Sequence, residues 1–68
     1  MPNSSKLSKN IKKLRKRKNF SQEKLARMAD VANNTIIKIE SGENKNPTLE
    51  TLQKVSKALG VSIDDILR

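Results

Sequence analysis

A chain of 68 residues, 34% hydrophobic and with one phenylalanine as its sole aromatic, has room for one domain with a small core. The lack of cysteine and histidine excludes a disulfide framework, a thiolate metal site and the commonest general base. No apolar run approaches the roughly 18 residues of a membrane span, and no signal-peptide core follows the early lysines; the absence of cysteine fits a cytoplasmic setting.

The net charge of +8 is unevenly spread: residues 1–27 hold ten Lys/Arg against one Glu, residues 28–68 five Lys/Arg against six Asp/Glu. A concentrated basic field implies a polyanionic partner, nucleic acid or an anionic membrane surface; the bland reading is a solvated, solubilising face. The first helical pattern has only three strong apolar positions, which a core needs, and this speaks against the membrane.

Five helical patterns follow one another, with no strand-like alternation. Residues 1–4 read as a frayed, flexible N-terminus, and a single all-α domain is expected over 5–68. In the first pattern Leu7, Ile11 and Leu14 form an apolar stripe, opposite Lys9, Lys12, Lys13 and Lys16. Asn19 is a candidate left-handed stop.

The second helix has the clearest start in the chain. Ser21 can cap it, and Phe20 and Leu25 stand at the spacing of a hydrophobic staple. Leu25, Met28 and Ala29 are its expected buried side. Ala26 is small where a neighbouring helix must come close. The pattern breaks at Asp30, a residue type tolerant of a left-handed turn.

The third helix is expected over about 32–41. Ile36 and Ile39 face inward; Asn34, Lys38 and Ser41 face outward with Ile37 beside them; Gly42 stops it. Residues 43–47 form a polar loop. Thr48 caps a fourth helix with Leu49, Leu52, Val55, Ser56 and Leu59 on its inner side, closed by Gly60. Ser62 and Asp65 have the spacing of a capping box at the start of the last helix, whose apolar residues are Ile63, Ile66 and Leu67. Together with Val61 these exceed what a thin final helix needs, which predicts a homodimer.

Two short helices joined by a tight turn are a weak signal alone, but the details are specific. The stretch SQEKLARMADVANNTIIKIESGENKNPTLETLQKVSKALGVSIDDIL, residues 21–67, resembles the phage-repressor-like, Cro/C1-type (XRE) helix-turn-helix family. The Ser-Gln helix start, the Ile-x-x-Ile-Glu-x-Gly ending and the Pro-Thr-Leu-x-x-Leu…Ala-Leu-Gly-Val-Ser run occur together, in order. The resemblance implies a five-helix lambda-repressor-like domain that binds double-stranded DNA, in a prokaryotic or phage-encoded, nucleoid-associated regulator. It also implies a homodimer on a partly palindromic operator, with repression as the expected outcome. An antitoxin or a restriction–modification controller would share this fold. A protein-docking module using the basic first helix is the alternative from another class.

The resemblance also assigns roles. Gln22 matches a phosphate-contacting glutamine, and Asn44, Lys45 and Asn46 match a loop along the DNA backbone. Asn33, Asn34, Thr35 and Lys38 match the groove-facing positions of the recognition helix, with Ala32 just before them. Arg15 and Glu40 match an ion pair between the first helix and the recognition helix. Physical chemistry supports these roles. An asparagine amide matches adenine N6 and N7, and lysine can donate to guanine or to phosphate. Residues four apart, as Asn34 and Lys38 are, project from one helix face. A helix start such as that at Gln22 attracts phosphate.

Three departures from the family pattern stand out. Ala32 lacks a capping hydroxyl, which costs on the order of 1 kcal/mol of local helix stability. Asp30 replaces a common glycine, and Thr48 stands where some relatives carry a basic residue. No enzyme is expected: Asp64 and Asp65 are adjacent and do not face each other, and no phosphate-cradling glycine loop or nucleophile–base set is present. No cofactor, metal or small-molecule ligand is implied.

Overall fold

The computed structural model describes residues 6–68. The expectations for residues 1–4, and for Ser5 as the first residue of the domain, lie outside the described residues. Five helices follow in chain order: α1 (Lys6–Arg17), α2 (Gln22–Ala29), α3 (Asn33–Ser41), α4 (Leu49–Leu59) and α5 (Ile63–Leu67).

Each helix stops for a local reason. Asn19 and Asp30 are left-handed at φ 61° and 59°, as are Gly42 and Gly60. After Asn19, Asp30 and Gly60 the next residue turns its N–H back onto the helix: Phe20 to Arg15 O, Val31 to Ala26 O, and Val61 to Ser56 O. Phe20, Val31 and Val61 then pack against the core, so each of the three ends carries the hydrogen bonds and the apolar contact of a Schellman stop. The starts are equally local. Ser21, Thr48 and Ser62 each accept the N–H of the residue three further on, and Asp65 returns the bond to complete a capping box. Ala32 begins α3 with no side-chain cap. The Lys24 ammonium lies 5.3 Å from the centre of the Phe20 ring, and Phe20 and Leu25 both join the core as the staple predicts.

α2 packs between α3 and α4, and α1 lies across α3 and α5. Ile11, Leu25, Ile36, Ile39, Val55, Leu59 and Ile66 are fully buried where these helices meet. Burying a side chain of this kind stabilises by about 1.5–3 kcal/mol relative to leaving it exposed. Ala26 is 2% exposed, and the missing bulk lets α2 and its neighbours approach.

Two expected core residues are not in the core: Met28 is 51% exposed and Leu49 62%, while Leu67, one of the apolar residues counted in excess of the last helix's own need, is 48% exposed. On α2, Leu25, Ala26 and Ala29 already fill the face turned to α3 and α4, and Met28 falls to one side, along a rim with Lys57 and Ala58. Leu49 opens α4, where the stripe of Leu52, Val55 and Leu59 runs past the end of the core. In the five-residue α5 Ile66 takes the single fully inward position, which turns Leu67 out.

Two polar residues hold α1 in place. The buried Ser8 hydroxyl donates to the Glu40 carbonyl, and Asn10 donates its amide to the Ile66 carbonyl at 3.0 Å. Neither was expected from the sequence. The signal for Ser8 was present, because Ser8, Ile11 and Arg15 follow one another at helical spacing on the buried side. At the other end of the chain, the Ser62 backbone N–H and hydroxyl hold the Asp65 carboxyl below the ordinary carboxylate value.

Candidate nucleic-acid interface

Ile36 and Ile39 are fully buried, so α3 lies on the bundle with its opposite face outward. Asn34 and Lys38 are exposed on that face, Asn33 is exposed at the start of the helix, Ile37 is partly exposed, and Thr35 is half-buried. The helix has nine residues, about 13 Å at 1.5 Å per residue, and a major groove about 12 Å wide admits such an element. Ala32, exposed and extended, precedes it; the Thr35 N–H bonds the Ala32 carbonyl at 2.9 Å.

The far end of α3 is held firmly. Arg15 places Nε 2.6 Å from Glu40 Oε2 and Nη2 3.0 Å from Oε1, a bidentate clamp, while its Nη1 reaches the Phe20 carbonyl at 2.7 Å. The two side chains are 10% and 2% exposed, so solvent screens this pair far less than an exposed one. Gln22, the first residue of α2, donates Nε2 to Glu40 Oε1 at 3.0 Å. One carboxylate thereby ties three helices together.

The loop after α3 folds back on it. The Asn44 N–H bonds the Lys38 carbonyl at 3.0 Å, and the Asn44 Oδ1 accepts the Asn46 N–H at 3.1 Å. These bonds set Asn44, Lys45 and Asn46 beside the C-terminal turn of α3. Lys45 and Asn46 are exposed and Asn44 half-buried. The structure thus brings Gln22, Arg15 and Glu40 into one cluster, and it ties the loop to Lys38. Asn33 and Asn34 stand at the opposite, uncapped end of the helix.

Among the described residues no group of three or more His, Cys, Asp or Glu could hold a metal ion, and no helix is long and apolar enough to cross a membrane.

A family model described as helix-turn-helix matches residues 11–66. The chain is 40% identical over 57 residues to the HTH-type transcriptional regulator SinR of Bacillus subtilis (strain 168), covering 84% of this chain and 51% of that protein. It is 47% identical over 49 residues to the control protein C.BamHI of Bacillus amyloliquefaciens, covering 72% of this chain and 59% of the relative. The chain therefore spans about half the length of the curated relatives it matches. Among solved structures it resembles SinR, the master regulator for biofilm formation, in complex with DNA: the TM-score is 0.88 at 37% identity, over 91% of this chain and 98% of that one. The restriction–modification controller protein C.AhdI from Aeromonas hydrophila superposes with a TM-score of 0.85 at 26% identity, over 90% of this chain and 91% of the other.

Proposed function

Since the chain belongs to the helix-turn-helix family, we propose that it is a sequence-specific double-stranded-DNA-binding regulator of transcription that reads the major groove with α3. The observation that carries this reading is the construction of α3. A short helix anchored from below by Ile36 and Ile39 presents Asn33, Asn34 and Lys38 to solvent, and two asparagine amides and a lysine are the groups that read adenine and guanine edges. The strongly basic first third of the chain supplies the long-range attraction.

Gln22, Lys45 and the loop residues Asn44 and Asn46 contact phosphate, and Ala32 and Thr35 join the groove contacts. Exposed Leu67, with half-buried Val61 and Ile63, supports a homodimer on a partly palindromic operator, acting in the cytoplasm as a repressor. A second setting is favoured by the likeness to C.BamHI and C.AhdI: control of a restriction–modification system, with the same mode of DNA reading.

The test is enrichment of duplexes from a random pool, followed by titration against the enriched and a scrambled sequence. Convergence on a motif bound at least a thousandfold tighter than scrambled DNA is expected. Binding that follows salt and duplex length but never sequence would reduce the chain to a non-specific polycation.

A further inference from the structure

Glu40 lies at the C-terminal end of α3 and is 5% exposed. Its Oε2 is taken by Arg15 Nε, and its Oε1 by Arg15 Nη2 and Gln22 Nε2. An amide has two chemically opposite ends of nearly equal shape, a carbonyl acceptor and an NH2 donor, whereas a carboxylate is an acceptor only. The Gln22 end facing Glu40 is therefore the NH2 group. Turning the amide over would set its carbonyl against a carboxylate oxygen and lose a charge-assisted bond.

We infer that Glu40 is a positioning residue for DNA binding, fixing the polarity of the Gln22 amide so that its second N–H, rather than its carbonyl oxygen, is held ready for a phosphate. The inference rests on the DNA-binding reading above. Phosphate oxygens accept and do not donate, so a glutamine free to rotate would present the wrong end part of the time. A glutamine locked by Glu40 presents a donor before DNA arrives. The lock stands on the helix that reads the bases, so the phosphate contact and the base contacts are set by one rigid element.

The test couples two substitutions. Gln22→Met keeps the length and removes the amide; it should weaken operator binding roughly tenfold, the scale of a hydrogen bond to a charged group. Glu40→Gln keeps the shape, but a glutamine at that position can donate as well as accept, so the Gln22 amide is free to turn. In the otherwise native protein Glu40→Gln should weaken binding several-fold. In the Gln22→Met background its effect should be markedly smaller, because there is no amide left to orient and only the weakened Arg15 clamp remains. A purely structural role for Glu40 predicts the same loss in both backgrounds, and that result overturns the inference.

A second measurement needs no variant. In the free native protein the Gln22 side-chain NH2 should be as rigid as the backbone by 15N relaxation, unlike that of exposed Gln53. Equal mobility of the two overturns the inference even if DNA binding is intact. A rigid Gln22 together with native affinity in Gln22→Met would instead defeat the phosphate contact on which the inference rests, and the inference with it.

Discussion

Glu40 takes two hydrogen bonds from Arg15 across 25 residues of sequence, at 2.6 and 3.0 Å, with its side chain 2% exposed. α1 and α3 are thereby joined by a charge pair that water barely reaches. Removing one partner of a largely buried pair leaves the other uncompensated and costs about 3–5 kcal/mol. An exposed lysine such as Lys12 contributes within about 0.5 kcal/mol. Arg15→Ala should therefore lower the urea midpoint strongly, and Lys12→Ala hardly at all. Equal midpoints would mean that the pair is solvated in solution.

Asn34 and Lys45 should divide the labour of DNA binding. Asn34→Ala is expected to cost roughly 1–3 kcal/mol on the cognate site and to relax preference at one base pair. Lys45→Ala should weaken cognate and random DNA alike and lower the salt slope by about one. Phosphate contacts position a protein and base contacts specify it. Titrations of both variants against matched and randomised duplexes over a salt series give the answer. The reverse pattern would move the recognition surface off α3.

Asp30 holds φ 59° at the turn between α2 and α3. Its ionic contact, with Lys54 at 4.0 Å, is made by a side chain that is 96% exposed and contributes little. Glycine adopts this backbone without steric cost, although it loses more freedom on folding. Asp30→Gly should raise thermal stability modestly, by about 0.5–1 kcal/mol, with sequence preference on DNA unchanged. A lower melting temperature would mean that the aspartate side chain supports the turn in a way glycine cannot replace.

The capping box of α5 makes stability depend on pH in one direction. Bonds from the Ser62 backbone N–H and hydroxyl hold the Asp65 carboxyl below its ordinary value. A depressed folded-state value adds stability above the unfolded value, and that stability is lost as pH falls through the folded one. The native protein should therefore be more stable than Asp65→Asn at neutral pH, and the gap should narrow once pH drops below about 4. Denaturation midpoints for the two proteins from pH 7 down to pH 2 provide the check. A constant gap would mean that the carboxylate is not coupled to folding.

Leu67 is 48% exposed in the single protomer, so Leu67→Glu should leave the monomer fold intact. On a two-fold operator the same change should abolish cooperative occupancy of the two half-sites. Sedimentation of protein–operator complexes resolves the stoichiometry. One protomer per operator at every concentration would exclude the dimer.

The helix boundaries were legible because they are written in single residues with local chemistry. Ser21, Thr48 and Ser62 cap, and Asn19, Asp30, Gly42 and Gly60 stop; all need only their own turn. The inward stripe was less legible at its edges. Met28, Leu49 and Leu67 share the periodicity of buried neighbours, but burial depends on how far the next helix extends, which periodicity does not encode. In the candidate site, the exposure of Asn34 and Lys38 follows from helical spacing opposite Ile36 and Ile39, whereas Asn33 is singled out by the family resemblance alone. The joining of Gln22 to Glu40 does not follow from spacing, since it spans 18 residues and three helices must pack before the two side chains meet. Ser8 is hard to read from sequence because a serine in a helix usually faces water. Here its hydroxyl finds a carbonyl of α3 within the core.

The bare start of α3 at Ala32 contrasts with its other end, where Glu40, Gly42 and the Asn44–Lys38 bond all hold it. Amide protection against solvent exchange should accordingly rise along the helix from Asn33 to Ile39, which makes its leading turn the least supported part of α3. That turn carries two of the three exposed polar side chains proposed to read the bases. In the proposed complex, a leading turn that frays can settle against slightly different groove shapes, and its ordering there subtracts from affinity. An operator matched to the settled form then gains over its near-relatives through how well it completes the helix, in addition to the bases it shows.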